Sequence, residues 1–111
     1  MIELSDTHHL PEAALHFLTV ADFQPYIGQD FPIHFPKNDC VVAQLKAVLQ
    51  LPGYSTLERK PFSILLQTAQ RTAFYQQAIY TVEHPALGRL TIFLVPVGVQ
   101  GQGMQYEAVF S

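Results

Sequence analysis

Ala78-Ile79-Tyr80-Thr81-Val82-Glu83-His84-Pro85-Ala86-Leu87-Gly88-Arg89-Leu90-Thr91-Ile92-Phe93-Leu94-Val95-Pro96-Val97 reads as two β-strands joined by a tight connection. Ala78 to Glu83 is rich in β-branched and aromatic residues, which suit a pleated, half-buried surface. His84 to Gly88 is the hairpin loop, with Gly88 available for a positive φ that other residues resist. Leu90 to Val97 is almost wholly apolar, a pattern expected of a strand buried on both faces or packed at an interface.

The same reading extends outward in both directions. Downstream, Gly98 to Gly103 is expected to be a flexible loop, and Met104, Tyr106, Ala108 and Phe110 then alternate as a last strand. Upstream, Phe62, Ile64 and Leu66 share one face, and so do Phe31, Ile33 and Phe35. Pro32 suggests an edge strand, because proline cannot donate to a ladder. Lys37-Asn38-Asp39 is a turn signal. Cys40 to Leu51 alternates without a break as a strand through Val41, Ala43, Leu45, Ala47, Leu49 and Leu51. Its Ala, Leu, Gln and Lys content also fits a helix. Thr19 to Asp22 has the spacing of a capping box and opens a short helix that meets Pro25. Pro11 before Glu12-Ala13-Ala14-Leu15 suits a first helical turn.

Short strands joined by tight connections predict an all-β, mainly antiparallel fold. The expected architecture is a small β-sandwich or a partly open β-barrel with a short N-terminal helix. Residues 1–17 are expected to form a flexible N-terminal arm, and residues 18–111 a single β-rich domain.

Composition narrows the function classes. Of the 111 residues, 49% are hydrophobic and only 14% charged, against about 25% charged in an average domain. Such a surface carries few repulsive groups against association, which favours an oligomer or a protein partner. The net charge is −3, and the six Lys and Arg residues are scattered along the chain. Nucleic acid and anionic membranes both require clustered cations, so neither is an expected partner. Cys40 is the single cysteine, which rules out an intrachain disulfide and a cysteine-rich zinc site. The first residues resemble no signal peptide, and no apolar run approaches a membrane helix, so a cytoplasmic location is expected.

No constellation of reactive residues stands out. His8, His9, His16, His34 and His84 do not have the spacing of a converging metal set, and no metal or cofactor is expected. Glu83 and His84 are neighbours, and on a strand they point to opposite faces. Cys40 with His34 would make a nucleophile pair, but Asp39 beside it is the wrong charge for activating a thiol. Glu107 has no second carboxylate nearby in the chain. Gly98 to Gly103 neither opens a helix nor carries a lysine, so it is no phosphate cradle. Aromatic residues outside the alternating faces are the candidate partner-binding anchors: Tyr54, Phe74 and Tyr75.

Pro61-Phe62-Ser63, Tyr80, His84-Pro85, Leu87-Gly88, Phe93-Leu94-Val95-Pro96-Val97 and Tyr106-Glu107-Ala108-Val109-Phe110 together resemble a family of small bacterial domains of unknown function. The resemblance reaches back to Asp22-Phe23-Gln24-Pro25 and covers roughly Leu18 to Phe110. It implies a single domain, often encoded near proteins of phage tail-collar or microcystin-dependent type. It defines no catalytic residue. The expected function is a non-enzymatic protein-binding or assembly module, an accessory or chaperone-like factor for a tail-collar-type protein. The alternative is a small ligand-binding barrel or enzyme with a pocket that the sequence does not reveal.

Overall fold

The structure is a computed structural model and describes residues 10–52, 60–72, 74–101 and 103–111. Strands β1 (Asp30–Phe35), β2 (Asp39–Gln50), β3 (Phe62–Gln67), β4 (Ala78–His84), β5 (Gly88–Gln100) and β6 (Gly103–Phe110) follow one another along the chain. They form a closed barrel in the order β1-β2-β3-β6-β5-β4. Every pairing is antiparallel. A short helix α1 (Val20–Phe23) precedes the barrel. The all-β expectation with a short N-terminal helix therefore holds, and the architecture is a barrel.

Alternation explains most of the strands. Phe31, Ile33 and Phe35 point inward from β1, and Phe62, Ile64 and Leu66 do so from β3. Val82 on β4, Leu90, Ile92 and Leu94 on β5, and Tyr106, Ala108 and Phe110 on β6 complete the filling. The seam that closes the barrel is brief. β1 meets β4 only at Ile33↔Val82 and His34↔Thr81. Pro32, one residue back, has no N–H to lend to either neighbour.

Two expectations change in detail. Cys40 to Leu51 is a strand, but its alternation does not lie on one face. The register with β3 shifts between Leu45 and Ala47. A bulge inserts one unpaired residue and reverses which side chains face inward. Ala43 and Leu45 therefore enter the core, whereas beyond Lys46 it is Val48 that packs on it and Leu49 that faces out. Gly98 to Gly103 is not a loop throughout. β5 runs on to Gln100, which pairs with Gly103.

Both ends of the barrel are closed by segments that cross them. At the base, Phe23 from α1 is fully buried against Phe62 and Phe110, with ring centroids 5.8 and 5.3 Å away. The Asp22 carboxylate accepts the Thr19 backbone N–H at 2.8 Å, which holds the helix start. Pro11 opens no helix. Its carbonyl accepts from Arg89 N–H at 2.8 Å, and Ala13 N–H returns a bond to the Arg89 carbonyl at 2.8 Å. The first turn instead forms later, as a 3₁₀ turn over Leu15–Phe17. At the mouth, the chain after β3 folds over β6. Thr68 N–H donates to the Met104 carbonyl at 2.9 Å, and Met104 N–H to the Gln70 carbonyl at 2.8 Å. Among the described residues no helix is long and apolar enough to cross a membrane.

Candidate functional site

The outer face of β4 and β5 brings the chemistry-bearing side chains together. Register sets three successive cross-strand pairs: Ile79↔Phe93, Thr81↔Thr91 and Glu83↔Arg89. Residues two apart on a strand share a face, so the face grades from apolar to hydroxyl to charged. His34 enters from β1, opposite Thr81 across the closing seam.

Glu83 is the buried charge of this face. Its side chain is 3% exposed, and Oε1 accepts a hydrogen bond from His34 Nε2 at 2.5 Å. A carboxylate out of water needs such a partner, since its desolvation otherwise costs several kcal/mol (about 3–5 when one partner is removed). Arg89, directly across from Glu83, does not turn to it. Its Nη2 donates to Glu12 Oε1 at 3.1 Å, and Thr91 Oγ1 donates to Glu12 Oε2 at 2.8 Å. Between the two opposite charges lies a cavity of about 220 Å³ lined by His34, Thr81, Glu83 and Arg89.

Sequence reasoning paired these residues differently. It set Glu83 beside His84 and His34 beside Cys40. Glu83 and His84 do part, one to each side of β4. His84 points into the base, where it stacks on Phe31 at 4.6 Å and lies 4.4 Å from the Tyr26 ring. His84 Nδ1 accepts the Ala86 N–H at 3.1 Å, which leaves Nε2–H to donate to Gln29 Oε1 at 2.8 Å. Both ring nitrogens are thus used in the neutral form, and burial holds its pKa below the ordinary histidine value. Cys40 does face His34 across the β1–β2 ladder. Desolvation, then the carboxylates of Glu83 and Asp39, push its thiol pKa up, against nucleophilic use. The His34–Glu83 contact spans 49 residues. Only the β1–β4 register creates it, so no local spacing announces it.

The candidate anchors separate. Tyr54 lies outside the described residues. Phe74 stands exposed. Tyr75 is half-buried over the mouth, stacked on Phe35 with centroids 4.0 Å apart and planes 10° from parallel. Its hydroxyl donates to the Asp39 carboxylate, and its backbone N–H donates to Tyr106 Oη at 2.9 Å. The hydrogen bond to Asp39, then desolvation, raises the Tyr75 pKa. His8 and His9 also lie outside the described residues, and the His16 ring lies tilted against Phe17, with centroids 4.2 Å apart. Among the described residues no three His, Cys, Asp or Glu side chains gather as a metal set.

The apolar run Leu90 to Val97, expected to be buried on both faces or packed at an interface, is not buried on both faces. Leu90 to Val97 buries one face only: Leu90, Ile92 and Leu94 point inward, whereas Phe93 and Val97 are exposed. Ile79 is 65% exposed, Phe93 50% and Val109 58%. Phe93 and Val109 each stand two residues along their strands from the Val95↔Glu107 pair. Val109 in turn pairs with Ser63, and Ser63 with the exposed Leu49. The signal was present in the run of apolar residues without alternation, which a half-buried strand does not require.

No curated protein and no solved structure matches the chain. One family model does, over residues 18–110, a span from just before α1 to the end of β6 that takes in the whole barrel. The chain belongs to the family described as a domain of unknown function, DUF6916.

Proposed function

We propose that this protein is a non-enzymatic protein-binding or assembly module whose contact surface is the outer face of β4, β5 and β6. The observation that carries this reading is the apolar group Ile79, Phe93 and Val109, each half or more exposed: Ile79 and Phe93 are cross-strand partners, and Phe93 and Val109 each stand two residues along their strands from the Val95↔Glu107 pair. Exposed apolar groups that adjoin one another mark interaction sites, whereas scattered ones do not. An aromatic at the centre of the group suits an anchor residue. The polar pairs beside it, Thr81↔Thr91 and Glu83↔Arg89, supply a rim. A ligand-binding barrel keeps room in its lumen. Here the lumen is filled by rings such as Phe31, Phe62 and Tyr106, which favours the module over that alternative.

Within this reading the protein acts as an accessory or chaperone-like factor for a tail-collar-type protein. The resemblance set out above, and the gene neighbourhood it implies, support that finer role. The test is co-purification of the tagged protein with the tail-collar-type product encoded nearby, beside the Ile79→Ser, Phe93→Ser double variant. A stoichiometric complex is expected for the natural chain. The variant should lose it while keeping its melting temperature, because neither side chain enters the core. A homodimer that the same substitutions dissolve would assign the face to self-assembly. A monomer that captures nothing, in both forms, sinks the proposal.

A further inference from the structure

We propose that the far end of β5 is a pairing edge at which two copies of this chain join as antiparallel strands. β5 outruns one of its neighbours. Its pairing with β4 stops at Ala78↔Leu94, whereas its pairing with β6 continues to Gln100↔Gly103. Among the described residues no strand lies along the other side of residues 95–100, so the closed wall ends there in a projecting hairpin. The Gln100 carbonyl accepts from Gln67 Nε2 at 2.7 Å, on the β6 side. Neighbouring residues of a strand direct their N–H and C=O to opposite edges, so Val99 turns both of its backbone groups to the open side. Such an edge is a template for another strand, and proteins blunt it with charged side chains, lysine above all. This one is not blunted in that way: from Leu90 to Tyr106 the sequence holds no charged residue. Val97 and Val99 stand exposed on it.

The edge selects its occupant. Strand N–H and C=O groups in a row are met by another extended strand. A second copy of this chain fits without conflict, because antiparallel pairing about a twofold axis matches a strand with itself. Centred on Gly98, that pairing sets Val97 of each copy opposite Val99 of the other. Apolar side chains then face one another, and no like charges do. Gly98 permits the approach. A Cβ there would meet nothing within 4 Å, and a glycine inside a strand marks a place where a second backbone can come close. Pro96, which has no N–H to give, and the turn after Gln100 bound the pairing to residues 96–100, about 16 Å at strand rise. A charged segment of another protein would find no opposite charge along this edge, whereas the chain's own uncharged strand needs none. This inference does not rest on the apolar outer face being a contact surface.

The test is the oligomeric state of the intact protein, by sedimentation equilibrium over about 1 μM to 1 mM. A dimer is expected with a Kd of about 10–100 μM, as suits a contact below the standard interface size. Val97→Lys brings like charges together at the junction and should weaken the dimer about tenfold or more. Val99→Pro removes an N–H directed away from β6 and should weaken it about tenfold, since the twofold axis counts each loss twice. Val97 is exposed, so Val97→Lys should keep the melting temperature of the dilute protein, and it decides the matter if Val99→Pro does not fold. Hydrogen exchange then locates the contact: the Val99 amide should gain protection as the protein is concentrated. A dimer that both variants leave intact overturns the proposal, and its loss in Ile79→Ser, Phe93→Ser moves self-association to the outer face. A dimer in which the Val99 amide exchanges alike at low and high concentration overturns it as well. So does a monomer throughout the range, an outcome that leaves the outer face free to bind a different protein.

Discussion

The two ends of the barrel are closed by the same device made from different materials. Each is crossed by a segment of chain seated on a glycine. At the base, Pro11 lies so close to Gly88 that a Cβ there would stand 2.5 Å from its carbonyl oxygen, and Gly88 has a φ of +91°. At the mouth, a Cβ on Gly103 would stand 1.7 Å from the Thr68 carbonyl oxygen. What each segment then delivers differs. The base receives Phe23, fully buried among Phe62 and Phe110. The mouth receives Tyr75, half-buried, stacked on Phe35 and tied by its hydroxyl to Asp39. A closure made by apolar burial is part of the core. One made by a stacked ring and hydrogen bonds at the water's edge is a cover that can lift at smaller cost.

The base should therefore fail harder than the mouth. Phe23→Ala removes a ring from a fully packed site and leaves a cavity between Phe62 and Phe110. The expected loss is about 3–5 kcal/mol of unfolding free energy, measured by urea denaturation. Tyr75→Ala should cost distinctly less. Equal losses would mean that the mouth is as much a part of the core as the base, and the comparison would fall.

The glycine seat at the mouth offers a finer cut. Gly103→Ala cannot keep Thr68 where it is, because the overlap is with backbone rather than with a side chain that can swing away. The segment must shift, at about 1–3 kcal/mol. Hydrogen exchange should show the Met104 and Tyr75 amides, which bond across this contact, losing protection while the Arg89 amide at the base keeps its own. Loss of protection at both ends together would show that the barrel opens as one unit.

How far this arrangement could be read from the chain follows the range of the interactions. The strands at Phe31–Phe35 and Phe62–Leu66, the turn at Lys37-Asn38 and the capping box at Thr19–Asp22 are local patterns, and each is where its pattern puts it. The reversal of faces at Lys46 was hidden. Apolar residues continue on the same alternate positions through the bulge, and only pairing with β3 shows that their direction has changed. Closure of the barrel depends on two residue pairs between β1 and β4, and the His34–Glu83 contact depends on that closure. Phe23 sits in a short amphipathic stretch that does not say which strands it will meet. The candidate site joins both kinds: its Ile79↔Phe93, Thr81↔Thr91 and Glu83↔Arg89 pairs belong to the β4–β5 hairpin, whereas His34 and Glu12 reach it from far along the chain.

The smallest expected effect separates the two ends by acid. His84 belongs to the base, and its neutral ring uses both nitrogens, one toward Gln29 and one toward Ala86. Burial sets its folded pKa below the unfolded value, which is about 6.5. The unfolded chain then binds more protons in the interval between the two values, and stability falls as pH drops through it. Above about pH 6.5 the contribution is complete. At the mouth, Tyr75 is pushed the other way by its bond to Asp39, so its phenol stays neutral throughout this range. Melting temperature should thus decline on acidification more steeply in the natural protein than in His84→Gln, which keeps a polar group toward Gln29 but cannot titrate. Parallel pH profiles for the two would show that protonating this ring does not strain the base.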